Sequence, residues 1–502
     1  MSLRDRLRSL GGNPSPSPPR EAPPAAPDDH EETAPTCHSE RSEGPAPSGD
    51  ALTPALSQRE RTEEGAGSSA YGPQNDSSGR WRTSSGLGWG LRSAPPSQRR
   101  SLRWAYPIEE VVEGDYQSTL DGPCFVVEQR YPISYPHGRF SLRSVLDLPP
   151  AVAVFWARDE SLLAFDPRRA VFLDLETTGL AGGTGTYAFL VGLGQVEGEE
   201  FRLRQFFLRE YGDERPLLLA VNEALAAGDS LVTFNGKCFD WPLLETRYVY
   251  SRMRPALSDP LHLDLLYPAR RLWRHRLESC ALGSLERNVL GIERHGDVPG
   301  WLIPSLYFQY LTERDARPLR SVFEHNRLDL LSLAALAGLF GQLGPGAAGF
   351  VDYLEGADHY GRGRALEEAG HLEESILSYE RALQHELAPE VQQQTLARLS
   401  FVYKRLRQSE QAVDIWQRLV SARGASALWP CLELAKYYEH QARDYVRAEE
   451  MALRALAALE LRWDTHKQTR AREELEHRLR RIRGKRGQTS PPAPLLAGEG
   501  SE

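Results

Sequence analysis

The stretch that decides the fold is VFLDLETTGL at residues 171–180, an apolar run that carries two acidic residues, Asp174 and Glu176. A short apolar run that ends near a glycine is typical of a buried strand. Alternate side chains of a strand lie on one face, so we expect both carboxylates to project together. Adjacent carboxylates repel each other unless a cation neutralises them. Their hard oxygen atoms suit Mg²⁺ or Mn²⁺.

Two later stretches carry further candidates. Asp240 follows a predicted strand at 231–234, and His325 and Asp329 lie four positions apart in VFEHNRLDLLSL. That spacing places His325 and Asp329 on one face of a helix. The acidic residues offer ligands for a two-metal site, and His325 can transfer a proton. Considered alone, Asp240 could also be an acidic residue that stabilises a helix N-terminus. His325 could likewise be a structural histidine.

Together, the motifs Asp-x-Glu-Thr-x-Gly, Asn-x-x-x-Phe-Asp and His-x-x-x-Asp resemble those of DEDD-type exonucleases of the ribonuclease H-like superfamily. The chain is more closely similar to the bacterial YprB-like family of ribonuclease H-like proteins. The stretches at 182–187, 270–286 and 296–311 carry that likeness. The resemblance covers roughly residues 105–340 and a helical repeat region that follows.

The resemblance implies a metal-dependent 3′→5′ exonuclease that acts on single-stranded nucleic-acid ends. Two Mg²⁺ or Mn²⁺ ions would be held by Asp174, Glu176, Asp240 and Asp329, and His325 would be the general base. The residues expected to contact substrate are Thr177, Gly179, Leu180, Asn235 and Phe239.

The chain departs from this pattern at one point. Three residues separate His325 from Asp329, which is the spacing of the tyrosine-type members; the histidine-type members usually have four. Two other functions stay open: a catalytically weak nucleic-acid-binding or scaffold protein that acts through its repeats, and a ribonuclease H-type endonuclease. Asp264, which ends another apolar run, is expected to have a structural role. The glycines of 182–187 predict a turn, because no lysine of a phosphate-binding loop follows.

The composition suits a chain of two or three domains. The chain has 502 residues, of which 40% are hydrophobic, and a formal net charge of −9. The acidic balance excludes general attraction to nucleic acid but allows a local basic surface. Arginine clusters fit either phosphate binding or a solvated face. They comprise Arg270, Arg271, Arg274 and Arg276 around Trp273, and Arg202, Arg204 and Arg209.

The predicted organisation has five parts. Residues 1–102 are a Pro- and Ser-rich segment that we expect to be disordered, and 103–169 hold short strands, including AVAVFWA at 151–157. Residues 170–342 form an α/β ribonuclease H-like domain with a mixed sheet flanked by helices. Residues 351–486 form tetratricopeptide-like helical repeats, and 487–502 are a disordered tail.

The helical region has three similar units, whose second helices are predicted to begin at Ser375, Ala412 and Ala448. Such repeats usually bind a protein partner, although a plain helical bundle fits the same pattern. The basic last helix, 470–486, either contacts nucleic acid or is solvated.

The cysteines and the N-terminus indicate a cytoplasmic protein. Five cysteines lie far apart, without metal-ligand spacing. The first residues lack the apolar segment of a signal peptide, and no stretch approaches the length of a membrane span. We therefore expect no membrane partner.

Overall fold

The structure is a computed structural model that describes residues 105–179, 185–347, 353–423, 427–461 and 465–489. The segment 1–102, predicted to be disordered, lies outside these residues. The last helix continues to Thr489, so the prediction of a disordered tail is wrong for residues 487–489. The rest of that tail lies outside the described residues.

The main sheet of the described residues has seven strands in the order β1-β2-β7-β6-β5-β8-β9. Strands β5, β8 and β9 are parallel, and the other neighbours are antiparallel. A separate short hairpin is formed by β3 and β4. The strands are β1 (Asp115–Thr119), β2 (Gly122–Pro132), β3 (Pro136–His137), β4 (Phe140–Ser141), β5 (Ala170–Thr177), β6 (Ala188–Glu197), β7 (Glu200–Phe207), β8 (Ser230–Thr233) and β9 (Leu261–Asp264).

Helices flank this sheet, which confirms the predicted α/β class with a mixed sheet. They are α1 (Pro150–Ala157), α2 (Glu214–Leu225), α3 (Asp240–Tyr250), α4 (Leu266–Trp273), α5 (Leu282–Leu285), α6 (Ile303–Glu313) and α7 (Leu319–Leu343). The long helix α7 packs across β5, β6 and β7. Residues 330–340 of this helix are buried and, apart from Ser332, apolar, as expected for a helix in the middle of a large core.

The prediction of a strand at 151–157 is wrong, because this apolar run forms helix α1. Pro150 occupies the first turn of the helix, where proline favours helix formation because the missing N–H needs no partner there. A short apolar run does not by itself distinguish a buried strand from a buried helix. The helix joins the core through Trp156, whose indole N–H donates to the Phe340 carbonyl at 2.9 Å.

The C-terminal region consists of successive helices that pack against one another. Ser375, Ala412 and Ala448 are fully buried. Each is the fourth residue of its helix, so each helix begins three positions before the predicted start. The helices are α8 (Gly356–Glu368), α9 (Leu372–Gln384), α10 (Pro389–Arg405), α11 (Ser409–Arg423), α12 (Leu428–His440), α13 (Tyr445–Glu460) and α14 (Thr465–Thr489).

The helical region is joined closely to the sheet domain at α8. A Cβ on Gly361 would lie 2.3 Å from the Leu272 carbonyl oxygen, so only glycine allows this approach. The Arg276 guanidinium donates to the buried Asp358 carboxylate at 2.8 Å, while Trp273 is completely buried. This arginine cluster therefore contains residues that hold the two regions together.

No helix among these described residues has both the length and the apolar character that crossing a membrane requires.

Candidate active site

The candidate site lies at one edge of the sheet. Strands β5 and β8 are parallel neighbours, so their C-terminal ends meet at the same edge. Strand β5 carries Glu176 close to that end, and helix α7, which packs against β5, carries His325 and Asp329. Residues that are about 150 positions apart in the chain are thereby brought together.

The centre of the site is a group formed by Glu176, His325 and Asp329, which offer ligand atoms within 4.8 Å of one another. The Nε2 atom of His325 lies 3.6 Å from Asp329 Oδ2 and 4.0 Å from Glu176 Oε1. Glu176 is buried and the other two are largely buried. Two carboxylates and one imidazole in this arrangement fit a divalent cation.

Asp174 is connected to the same helix by hydrogen bonds. The Asn326 amide donates to Asp174 Oδ2 at 2.8 Å and to the Asp174 carbonyl at 3.2 Å. Gln205 in turn donates to Asn326 Oδ1 at 2.8 Å. Asp174 lies opposite Gly192 in the strand ladder, and a Cβ on Gly192 would lie 2.3 Å from Asn326 Oδ1. Asn326 thus fixes the carboxylate of Asp174 relative to α7, and Gly192 leaves room for it.

Asp240 is the buried first residue of α3, a helix that contacts β5. Neither Asp240 nor Asp174 belongs to the group of three within 4.8 Å. Their role as metal ligands therefore stays a prediction.

Asp264 has the structural role that the sequence predicts. Its carboxylate accepts the backbone N–H groups of Asn235, Lys237 and Leu266 at 2.8–3.0 Å. These bonds hold the loop between β8 and α3, in which Asn235 adopts a left-handed conformation with φ of 66°. A single buried carboxylate thereby determines the path of the loop that leads to Asp240.

The predicted substrate residues lie beside this edge of the sheet. Thr177 is buried and donates its hydroxyl to the Gly179 carbonyl at 2.9 Å, so its side chain shapes the turn. Asn235 and Phe239 belong to the loop that precedes α3 and are half-buried. Leu180 lies outside the described residues.

Two functional candidates escaped the sequence analysis, Asp297 and Arg294. Asp297 Oδ1 lies 2.8 Å from His325 Nδ1, which orients the ring so that Nε2 faces Glu176 and Asp329. Arg294 is largely buried and forms an ion pair with Asp329 Oδ1. Both come from the irregular segment 291–300, which gives no periodic signal. The only sequence hint is that Asp297 lies in one of the stretches that resemble the YprB-like family.

Arg294 is held in place by Glu286. Its Nε and Nη2 atoms donate to the two oxygens of Glu286 at 2.6 and 2.5 Å, and Nη1 lies 3.1 Å from Asp297 Oδ2. Glu286 is buried and also accepts the Ser332 hydroxyl at 2.5 Å. This arginine already neutralises part of the acidic charge of the site.

The electrostatics of His325 follow from its neighbours. Burial favours the neutral ring, but Asp329 and the hydrogen bond to Asp297 outweigh it, and the pKa of His325 rises to about 10. At neutral pH the ring is therefore protonated in this arrangement. A divalent cation on Glu176 and Asp329 would offset the charges that raise the pKa. Such a cation would therefore favour the neutral ring, which is the form that accepts a proton.

The predicted arginine clusters make contacts within the protein. Arg202 pairs with Glu128 and Glu197 at 2.6 and 3.0 Å, and Arg204 donates to Gln195 at 2.9 Å. Arg271 donates to the Trp156 carbonyl. These contacts favour a structural role for the clusters over a nucleic-acid surface.

The comparisons with known proteins agree with this fold. Residues 171–340 match the family described as the RNase H superfamily. The match contains β8 and nearly all of β5 and α7, and it includes every predicted metal ligand. The chain therefore has the nuclease-type fold of the RNase H superfamily.

Over 346 residues the chain is 32% identical to the uncharacterized protein YprB of Bacillus subtilis (strain 168), a match that covers 67% of this chain and 81% of YprB. The chain belongs to the YprB family within the RNase H superfamily. The resemblance seen in the sequence motifs is thereby confirmed at the level of the family.

Proposed function

We propose that this protein is a metal-dependent 3′→5′ exonuclease that hydrolyses phosphodiester bonds at the ends of single-stranded nucleic acids. The observation that carries the proposal is the convergence of Glu176 from β5 with His325 and Asp329 from α7 within 4.8 Å. Membership of the RNase H superfamily supports a nuclease. The histidine and aspartate on a late helix favour the exonuclease branch over an endonuclease.

The metal ligands of the proposed enzyme are the four acidic residues. Asp174, Glu176 and Asp329 would hold one Mg²⁺ or Mn²⁺ ion, and Asp174 with Asp240 would hold a second. Bound there, the two ions would supply an activated water and stabilise the leaving 3′ oxygen. Asn326 supports this assignment because it orients Asp174 Oδ2 at 2.8 Å.

His325 is the proposed general base of the reaction. Its Nε2 atom would take the proton from the attacking water, while Asp297 holds Nδ1 at 2.8 Å and keeps the ring in one orientation. Proton transfer from a neighbouring water requires a neutral ring, so the base is formed only in the metal-loaded protein. Asp297 is thus a positioning residue.

Nucleic acid is the proposed substrate, either RNA or single-stranded DNA. The loop from Asn235 to Phe239 would contact the sugar or base of the terminal nucleotide. The turn after β5, with Thr177 and Gly179, would allow the nucleotide to approach the backbone. No residue here is committed to a 2′-hydroxyl, the group that distinguishes RNA from DNA.

The helical region would bind a partner protein, as stacked helical repeats usually do. Its first helix is fixed to the sheet domain through Arg276 and Asp358, so a bound partner would be held at a constant orientation to the site. Capture experiments with the full chain and a form that ends before α8 would test this. Identical sets of captured proteins would contradict it.

The exonuclease is tested by product analysis on matched RNA and DNA single strands with Mg²⁺ or Mn²⁺. The substrates are a 5′-labelled linear strand, the same strand with a blocked 3′ end, and a circle of the same sequence. We expect stepwise shortening of the open linear strand alone. Cleavage of the circle at a comparable rate would instead identify an endonuclease.

A further inference from the structure

The acidic centre contains a cation that belongs to the protein, the guanidinium of Arg294. We propose that Arg294 is a resident cation that occupies one oxygen of Asp329 and weakens the binding of a divalent metal ion at the centre. This inference rests on the proposed metal-dependent function. It concerns metal affinity, which can be measured without any cleavage assay.

Arg294 is anchored independently of the metal ligands. Glu286 receives two nearly parallel hydrogen bonds from Nε and Nη2 at 2.6 and 2.5 Å, a bidentate geometry that fixes the guanidinium plane. Glu286 is itself fixed by the Ser332 hydroxyl at 2.5 Å, and Ser332 lies 2.9 Å from His137 Nε2. Glu286, Ser332 and His137 are all buried. A chain of buried polar groups therefore fixes the edge of the Arg294 guanidinium that faces away from the metal ligands.

The other edge of Arg294 faces the centre. Nη2 is paired with Asp329 Oδ1, and Nη1 lies 3.1 Å from Asp297 Oδ2 and 3.3 Å from His325 Nδ1. The other oxygen of Asp329, Oδ2, lies 3.6 Å from His325 Nε2. Arg294 thus determines which oxygen of Asp329 is offered to a metal ion and limits this ligand to one oxygen.

The charge of Arg294 opposes that of a metal ion. A guanidinium bonded to a ligand oxygen repels a divalent ion on the other oxygen of the same carboxylate, and the repulsion is strong in a partly buried site. The same guanidinium neutralises Asp329 when no ion is present. The centre can therefore fold without a metal and bind one reversibly.

The test is a titration of the full-length protein with Mn²⁺, followed by electron paramagnetic resonance of the free ion. We expect Arg294→Gln to bind Mn²⁺ about tenfold more tightly than the wild type, or better. The matched control is Arg287→Gln, which removes the same charge from an exposed position on the neighbouring helical turn and should leave the affinity unchanged.

A second variant covers the case in which Arg294→Gln does not fold. Arg294→Gln leaves Glu286 buried without its partner, so the double variant Arg294→Gln/Glu286→Gln, in which two amides can bond to each other, is titrated as well. Tighter Mn²⁺ binding in either folded variant supports the inference. Equal or weaker binding in every variant that folds overturns it, as does an equal gain in Arg287→Gln. If Mn²⁺ binding tightens but no nuclease activity is found, the result counts against the proposed function and not against this inference.

Discussion

His325 is the residue whose surroundings decide most about the chemistry of the site. Asp297 lies at one nitrogen of its ring, and Asp329 and Glu176 lie at the other. The short spacing between His325 and Asp329 in the sequence places the two on successive turns of α7, and the ring reaches the acidic group at this spacing. The departure from the histidine-type pattern therefore does not remove the histidine from the centre.

Replacing His325 distinguishes two possible roles of this residue, a general base and a group that only orients the substrate. We expect His325→Ala to lower turnover by about 10²–10⁴-fold and to leave Mn²⁺ binding within a few-fold of the wild type. Full activity in His325→Tyr would exclude an obligate imidazole base. If His325→Ala loses Mn²⁺ binding instead, the imidazole is a metal ligand, an outcome that the 4.8 Å group also allows.

Asp297 should control the pH dependence of cleavage. Its hydrogen bond is one of the causes that raise the pKa of His325, so Asp297→Asn should lower that pKa. The neutral ring then forms at lower pH, and the acid limb of the pH profile of kcat/KM should move to lower pH. Asp315→Asn, which changes an aspartate paired with Arg317 at the surface, is the control. An unmoved acid limb in Asp297→Asn would contradict the role assigned to Asp297.

At the scale of elements, the site depends on how closely α7 approaches the sheet. We expect Gly192→Ala to destabilise the protein by about 1–3 kcal/mol, because the added methyl group meets the Asn326 side chain. It should also lower cleavage, since Asn326 orients Asp174. Thermal unfolding and a cleavage assay measure the two effects. The control is Gly212→Ala, where an added Cβ would meet nothing within 4 Å, and it should change neither stability nor cleavage. If Gly192→Ala is as mild as this control, the close packing of Asn326 against Gly192 is contradicted.

The elements that carry the acids were predictable, and the loop that completes the site was not. Strand β5 begins with an apolar run, and His325 and Asp329 have helical spacing, so local pattern is enough to predict these elements. Helix α1 was mistaken for a strand because a short apolar run fits both. Arg294 and Asp297 were missed because their approach to α7 depends on how segment 291–300 folds back, which no local pattern records.

At the scale of the whole molecule, the basic last helix is used for packing. Its residues Arg478, Arg481 and Lys485 donate to the buried carboxylate of Glu439 on α12 at 2.6–2.9 Å. Arg483 and Arg486 pair with Glu449 at 2.7 and 2.8 Å. Arg483 and Arg486 are more than half exposed, as the solvated alternative predicts, and all five cations are paired with carboxylates of the helical region.

Because of Glu439, the stability of the helical region should fall at acidic pH. Burial opposes its charge, but Arg481 and Lys485 outweigh burial and lower its pKa to about 2. A carboxylate whose pKa is lowered by folding stabilises the fold at any pH above its ordinary pKa. This stabilisation is lost as the pH falls from about 4.5 towards 2. We expect Glu439→Gln to lower the free energy of unfolding of the helical region by about 2 kcal/mol at neutral pH, the typical contribution of hydrogen bonds to a charged group. It should also flatten this acid dependence.

Denaturant unfolding at several pH values measures the effect. The control is Glu473→Gln on the exposed side of α14, which should unfold like the wild type. Equal stability of Glu439→Gln and the wild type would show that the ion pairs contribute little.

The central claim is that the acidic group on β5 and α7 cleaves nucleic acid from its 3′ end. Its most direct test is the cleavage rate of purified wild type and Asp174→Ala on a 5′-labelled single strand with Mg²⁺ or Mn²⁺, with folding verified by circular dichroism. We predict stepwise 3′ shortening by the wild type and a loss of more than about a hundredfold in the variant, because metal binding supplies several kcal/mol of transition-state stabilisation. A folded Asp174→Ala protein that cleaves at the wild-type rate would contradict the account.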